Sequence, residues 1–203
     1  SLFRLSYPIP TEDVCWGMLL NPDGKRFVNE LGSRNDLGII ILRQMRDFDG
    51  KPPLLVYDSK GIELFHDKQR LEMSLAGRNF KNGTMHRFDT LDELAEHFDY
   101  DEQALADAVS RYNEMFDNGV DEDFGKDMTA LQGAAIKQPP FYGMNLIPNN
   151  NYTPGGVRID TSARILDTSG RPIEGLYAAG EVTGGVHGAQ RLTGCSAPDC
   201  GVF

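Results

Sequence analysis

Residues 175–203 read GLYAAGEVTGGVHGAQRLTGCSAPDCGVF, and the order of residues in this stretch decides the fold. A short apolar, strand-like run, Leu176-Tyr177-Ala178-Ala179, enters a glycine-rich turn and then a helix start. Gly180, Gly184, Gly185, Gly188 and Gly194 let the backbone approach a bulky ligand and adopt dihedrals that a Cβ would forbid. A helix opening after such a turn aims free N–H groups and its positive dipole end at an electron-rich ligand edge. Glycine richness alone would suit any surface loop; strand, turn and helix in this order make a cofactor-contact pattern.

The stretch resembles the flavin-contact region of the fumarate reductase / succinate dehydrogenase flavoprotein family, in its flavocytochrome c and urocanate-reductase-like branch. The family's run G-L-Y-A-A-G-E-V-T-G-G-V-H-G-A-N-R differs from residues 175–191 only at Gln190. The resemblance implies FAD as cofactor, with Ala179 and Gly180 against it and Glu181 hydrogen-bonding its ribityl or ribose region. Beyond Arg191 the family reads L-G-G-N-[AS], where this chain has Leu192-Thr193-Gly194-Cys195-Ser196-Ala197. Gly194, Ser196 and Ala197 are then expected at the pyrimidine edge of the flavin, and Pro198 suits a helix's first turn.

The family's chemistry is reduction of a carbon–carbon double bond activated by a carboxylate or another electron-withdrawing group. Flavin gives a hydride to one carbon and an arginine gives a proton to the other. Asn29-Glu30-Leu31-Gly32-Ser33-Arg34 resembles the motif N-E-[IL]-[ST]-[ST]-R, which makes Arg34 the candidate proton donor. An isolated arginine is a poor acid at its ordinary pKa, so it needs a relay. In the family the relay comes from T-E-x-x-R; here Thr11-Glu12-Asp13-Val14-Cys15 keeps the first two residues and puts Cys15 in the arginine's place. Glu12 is the candidate relay and Thr11 a candidate substrate contact. Without the resemblance, Arg34 reads as a surface arginine before a helix, and Thr11 and Glu12 as a loop pair.

Arg191 matches the arginine that clamps a substrate carboxylate, a task suited to guanidinium because its planar fork makes two parallel charged hydrogen bonds. The second clamp in the family is a histidine in a stretch like H-H-T-M-G-G, and here Asn151-Tyr152-Thr153-Pro154-Gly155-Gly156 stands instead. Tyr152 offers a hydroxyl and an aromatic face but no imidazole charge, so a second carboxylate is held less well. Fumarate is therefore the less expected substrate, and a monocarboxylate, aryl-acrylate or urocanate-like acid the more expected one; the bland alternative is that Tyr152 only packs. His187 either orients flavin or substrate or bonds within the turn. Cys195 reads as a passive small residue, since Cys200 does not form a C-x-x-C pair with it.

Composition sets the outer bounds. The chain has 203 residues, 40% of them hydrophobic and 25% charged, enough for one sizeable domain or two small ones. A net charge of −10 argues against nucleic acid, because phosphate neutralisation needs clustered Lys and Arg. No apolar run approaches the roughly 18 residues of a membrane span. Three cysteines, Cys15, Cys195 and Cys200, are too few and too unevenly spaced for a disulfide framework or a zinc site, and no metal site is expected. No G-x-G-x-x-G fingerprint occurs, and in the resembling family it lies upstream, in the first half of a FAD domain interrupted by a capping domain.

Along the chain, Met18-Leu19-Leu20, the turn Asn21-Pro22-Asp23-Gly24 and residues 26–30 predict a hairpin. Asn35 or Asp36 should cap a helix through Phe48, with Leu37, Ile41, Met45 and Phe48 on one face. Leu54-Leu55-Val56-Tyr57 reads as a buried strand. Thr90-Leu91-Asp92-Glu93 matches a capping box, and a second helix from Asp101 aligns Leu105, Val109, Tyr112 and Phe116. Residues 120–138 read as a solvated acidic loop and Pro139-Pro140 as a hinge, with strand-like runs following at residues 141–147, 156–159 and 176–179.

The expected fold is α+β: a mixed α/β substrate-capping domain at residues 1–138, then the incomplete C-terminal segment of an interrupted Rossmann-like FAD-binding domain at residues 139–203. The expected partners are a small unsaturated acid, the upstream FAD-binding half of the same protein and a haem or flavin electron donor, with no nucleic acid and no membrane span. Two alternatives stay open: a capping or docking fragment that binds no flavin, and a ketosteroid-dehydrogenase-like flavoenzyme acting on an enone.

Overall fold

The computed structural model describes residues 11–76, 85–129, 134–148 and 155–185, except the side chains of residues 11, 12, 34, 35 and 70. The chain divides into two compact units, Ser1–Asn149 and Asn150–Phe203.

In the first unit, four strands, β1 (Met18–Leu20), β2 (Leu54–Tyr57), β3 (His86–Phe88) and β4 (Phe141–Asn145), form an antiparallel sheet in the order β1-β2-β4-β3. Because side chains alternate across a strand, Met18, Leu20, Leu54 and Val56 face one way, and Leu19, Leu55 and Tyr57 the other. The first set packs on Leu94 and Ala95 of α5 (Leu91–Phe98) and on Leu105, Val109, Tyr112 and Met115 of α6 (Glu102–Asn118). The second packs on Val14 of α1 (Thr11–Val14), Leu37 and Ile41 of α2 (Arg34–Asp47), Ile62 of α3 (Ser59–Glu63) and Leu71 of α4 (Lys68–Ala76). Helices cover both faces, which is why β2 is apolar at all four positions rather than alternating.

Local signals set several of these elements. Thr90 and Glu93 form the reciprocal capping box, and Asp101 caps α6 through the N–H of Ala104. The cap of α2 is Ser33, earlier than the expected Asn35 or Asp36: its hydroxyl accepts from Asp36 N at 3.2 Å, which makes Arg34 the first helical residue. The expected hairpin reduces to one bridge, Leu20 to Arg26, because Arg26 and Glu30 turn inward to an ionic cluster instead of continuing a strand.

Residues 120–138 depart from the solvated loop expected of their composition, since Asp121, Lys126, Met128 and Ile136 are buried. A cis Pro139–Pro140 bond leads into β4, which pairs with β2 and β3. The compact division therefore falls at residue 149, beyond the boundary expected at 138, because strand pairing holds residues 141–145 in the first unit.

In the second unit, β5 (Arg164–Leu166) and β6 (Pro172–Tyr177) form an antiparallel pair, closed by a turn at Asp167–Gly170, whose Gly170 N donates to Asp167 O at 3.0 Å. The strand-like run at 156–159 contributes single bridges, Val157 to Thr183 and Ile159 to Ile165. Strand pairing that is antiparallel throughout both sheets, with helices packed on the first, gives the α+β class expected from sequence.

Candidate active site

The stretch leading to Arg34 is held from both ends. Asn29 Oδ1 accepts from Leu31 N at 2.9 Å, Gly32 N donates to Asn29 O at 3.0 Å, and Ser33 then caps α2. Between these lies Glu30, a wholly enclosed carboxylate. It accepts from Leu19 N at 3.0 Å, from Arg26 Nε at 2.9 Å and from Arg26 Nη2 at 2.8 Å. Arg26 Nη2 also reaches Asp121 Oδ2 at 2.8 Å. Lys126 Nζ lies 3.3 Å from Glu30 Oε2 and donates to Gly17 O at 3.0 Å and to the Tyr112 hydroxyl at 2.8 Å.

Two cations and two anions thus neutralise one another out of contact with water, their side chains no more than 6% exposed. Burial alone would raise the Glu30 pKa, but Lys126 and Arg26 outweigh it and hold the carboxyl below its usual range. Burial acts in the same direction on Asp121, whose carboxyl is nevertheless brought to about 2 by the Arg26 hydrogen bond and the Lys126 and Phe124 amides. Desolvation would discharge Lys126, yet Glu30 and Tyr112 hold its pKa above the ordinary value. The cluster stays ionised and fastens the 29–34 stretch to β1 and to the 121–126 loop.

Thr11 and Glu12 lie on α1, and α1 and α2 pack into the same core layer, on the same face of the sheet. The motif residues Thr11, Glu12 and Arg34 are therefore carried by elements of one layer. Cys15, just after α1, is buried, and burial pushes its thiol pKa up, which keeps it a neutral small side chain. Next to Glu12 stands a residue that motif reading passes over. Asp13, enclosed completely, accepts at Oδ1 from His66 N at 2.9 Å, and His66 Nδ1 lies 2.7 Å from the same oxygen. The partner sits 53 positions away, so only the Asp next to Glu12 could have hinted at the pair.

In the second unit, Ala179, in extended conformation, leads into a 3-10 turn (Gly180–Val182) that carries Glu181, with Gly180 taking φ 80°. Val157 N donates to Val182 O and Gly184 N to Val157 O, each at 2.9 Å. The backbones of Gly156 and Gly184 cross so closely that a Cβ on Gly184 would lie 2.6 Å from Gly156 N. Ala179 and Glu181 are exposed, beside exposed Leu176, Tyr177 and Val182. A Cβ-free crossing under an exposed turn, with an apolar surface beside it, suits a large ligand having a flat ring and a polar chain. The residues present therefore fit FAD. Tyr152, Arg191, Gly194, Ser196 and Ala197 lie outside the described residues, as do Cys195, Cys200 and His187.

The chain belongs to the FAD binding domain family, whose model matches residues 17–197. It is 38% identical over 183 residues to the acrylate reductase flavoprotein subunit of Shewanella woodyi, covering 89% of this chain and 34% of that protein. Among solved structures, the open conformation of a flavocytochrome c3 fumarate reductase matches 97% of this chain and 32% of its own, with a TM-score of 0.67 and 32% identity. The 3-ketosteroid Δ1-dehydrogenase of Sterolibacterium denitrificans matches with the same TM-score of 0.67 at 25% identity, over 86% of this chain and 34% of its own. The chain spans about a third of the length of these proteins. The family read from residues 175–191, and FAD as its cofactor, are borne out. Among the described residues no helix is long and apolar enough to cross a membrane.

Proposed function

We propose that the protein carrying this segment is an FAD-dependent oxidoreductase that reduces the activated double bond of an unsaturated carboxylate. The observation that carries the reading is the placement of Arg34 at the first position of α2, on a stretch fastened by the Glu30 cluster, in the same layer as the Thr11-Glu12 helix. FAD, when bound, supplies the hydride. Arg34 gives the second carbon its proton, Glu12 restores that proton, and Thr11 contacts the substrate.

Arg191 clamps the substrate carboxylate through its two-pronged guanidinium. Tyr152, in place of a histidine, favours acids with one carboxylate, in keeping with the 38% identity to an acrylate reductase subunit. Fumarate is then a poor substrate. Ala179, Gly180, Glu181, Gly194, Ser196 and Ala197 hold the cofactor. The unit up to residue 149 acts as the cap over the substrate, the residues beyond it complete the FAD domain begun upstream, and a haem or flavin donor refills the cofactor with electrons.

Arg34→Ala in the FAD-loaded full-length protein tests the assignment. The expected result is loss of turnover with the visible flavin spectrum intact; an unchanged rate would remove Arg34 from its role.

A second reading, a dehydrogenase acting on a ketone-bearing substrate, is favoured by the likeness to the ketosteroid enzyme, which equals that to the fumarate reductase in TM-score. Substrate screening separates the two. A third, a capping piece without flavin of its own, concerns the 203 residues alone: the isolated chain should purify colourless, for lack of the G-x-G-x-x-G fingerprint.

A further inference from the structure

We propose that His86 and His97 form a binding site for Zn²⁺, which ties the edge strand β3 to the end of α5. His86 is the first residue of β3, and His97 stands in the last turn of α5. The two lie on different elements and in no ligand motif, so the site is made by the fold.

Three features bring the imidazoles together. Phe88 packs into the layer of α5 and α6, so strand alternation turns His86 the same way and Arg87 to the opposite face, where Asp89 takes it at 3.0 Å. Across the ladder His86 pairs with Gly143 of β4, and a Cβ on Gly143 would lie 2.6 Å from Phe98 Cε2. The glycine therefore lets the end of α5 come down on the ladder at the level of His86. There the rings of His86 and His97 meet with centroids 4.4 Å apart, the closest contact in a cluster that also holds Phe88 and Phe98. His97 is exposed and His86 half-buried, which gives an ion access from solvent.

The spacing matches two ligands of one ion. A zinc–nitrogen distance of about 2.0–2.1 Å puts the ion about 3.2 Å from a ring centroid, so two imidazoles at a right or tetrahedral angle hold their centroids about 4.5–5.2 Å apart. The observed 4.4 Å needs little adjustment. The ring planes meet at 46°, which is neither the offset stack nor the edge-to-face contact that aromatic pairs prefer. Neutral imidazole is the commonest protein ligand for such an ion, and the carbonyl end of α5 favours a positive charge beside His97. Among the described residues no group of three His, Cys, Asp or Glu surrounds an ion, so water fills the remaining positions and the site is a two-point clip. Strand β3 has the most to gain from it, being three residues at the sheet edge with no fully buried side chain. An ion that binds the folded state alone stabilises it by mass action.

The test titrates the FAD-loaded full-length protein, first stripped with a chelator, with ZnCl₂ in a calorimeter, the wild type beside His86→Phe and His97→Phe. Phenylalanine keeps a ring in the cluster and removes the nitrogen donors. The wild type should bind one equivalent of zinc more than either variant, and saturating zinc should raise its urea midpoint by more than theirs. His97→Gln, at an exposed position that tolerates change, should lose the same equivalent, which separates loss of the ligand from any repacking by phenylalanine. Equal zinc stoichiometry in the wild type and any of the three variants overturns the site. So does a wild-type midpoint that zinc leaves where it was, or raises no further than it raises the variants'.

Discussion

Lys126 Nζ lies 3.3 Å from Glu30 Oε2 with both side chains wholly enclosed, which joins a distant loop to the stretch that presents Arg34. Removing one member of such a buried pair leaves the other charge uncompensated, at a loss of about 3–5 kcal/mol. Lys126→Met should therefore sharply lower the urea midpoint of the full-length protein. The double variant Glu30→Leu/Lys126→Met should recover part of the loss only if Arg26 and Asp121 suffice for one another. A Lys126→Met midpoint equal to wild type would show that the pair is not a fastening.

The same cluster sets a response to acid. Glu30 and Asp121 have folded-state pKa values below their ordinary ones, with Asp121 brought from 3.8 to about 2. Groups depressed in the folded state stabilise it fully above their unfolded values. That stability is lost as pH falls, because the unfolded chain then binds protons that the native state refuses. Unfolding free energy should fall between about pH 4 and pH 2, and Asp121→Asn should flatten the decline. A wild-type free energy independent of pH across this window would contradict the depressed carboxylates.

In the second unit, a methyl group on Gly156 would collide with Val182 O, which belongs to the backbone of the turn and cannot swing aside. Gly156→Ala should displace the 3-10 turn carrying Gly180 and Glu181, and the full-length variant should purify with less FAD per chain. Full occupancy, read from visible absorbance against protein concentration, would separate this turn from cofactor binding.

How far the sequence foretold these features depends on whether their causes are local. Thr90 with Glu93, the stripe on α6 and the turn at Asp167–Gly170 were legible because their signals lie within one or two turns of chain. Helices α3 and α4 were not, since each is short and offers the core few residues, chiefly Ile62 and Leu71. Strand β3, three residues at the sheet edge with no fully buried side chain, had no alternating pattern to read. The polar composition of residues 120–138 pointed to solvent, yet the partners that draw Asp121 and Lys126 inside, Arg26 and Glu30, come from the far end of the unit. Motif order likewise singled out Arg34, Thr11 and Glu12 as candidates but passed over Asp13 and His66, a pairing that only the fold creates.

The central claim is reduction of an unsaturated carboxylate. Its most direct test is to give the full-length, FAD-loaded protein reduced methyl viologen with acrylate, cinnamate, urocanate, fumarate and a 3-keto steroid enone in turn, identifying each product by mass. The account predicts viologen oxidation with formation of the saturated acid from a monocarboxylate, and a slower reaction with fumarate. Reduction of the enone alone, with every unsaturated acid recovered unchanged, would contradict it.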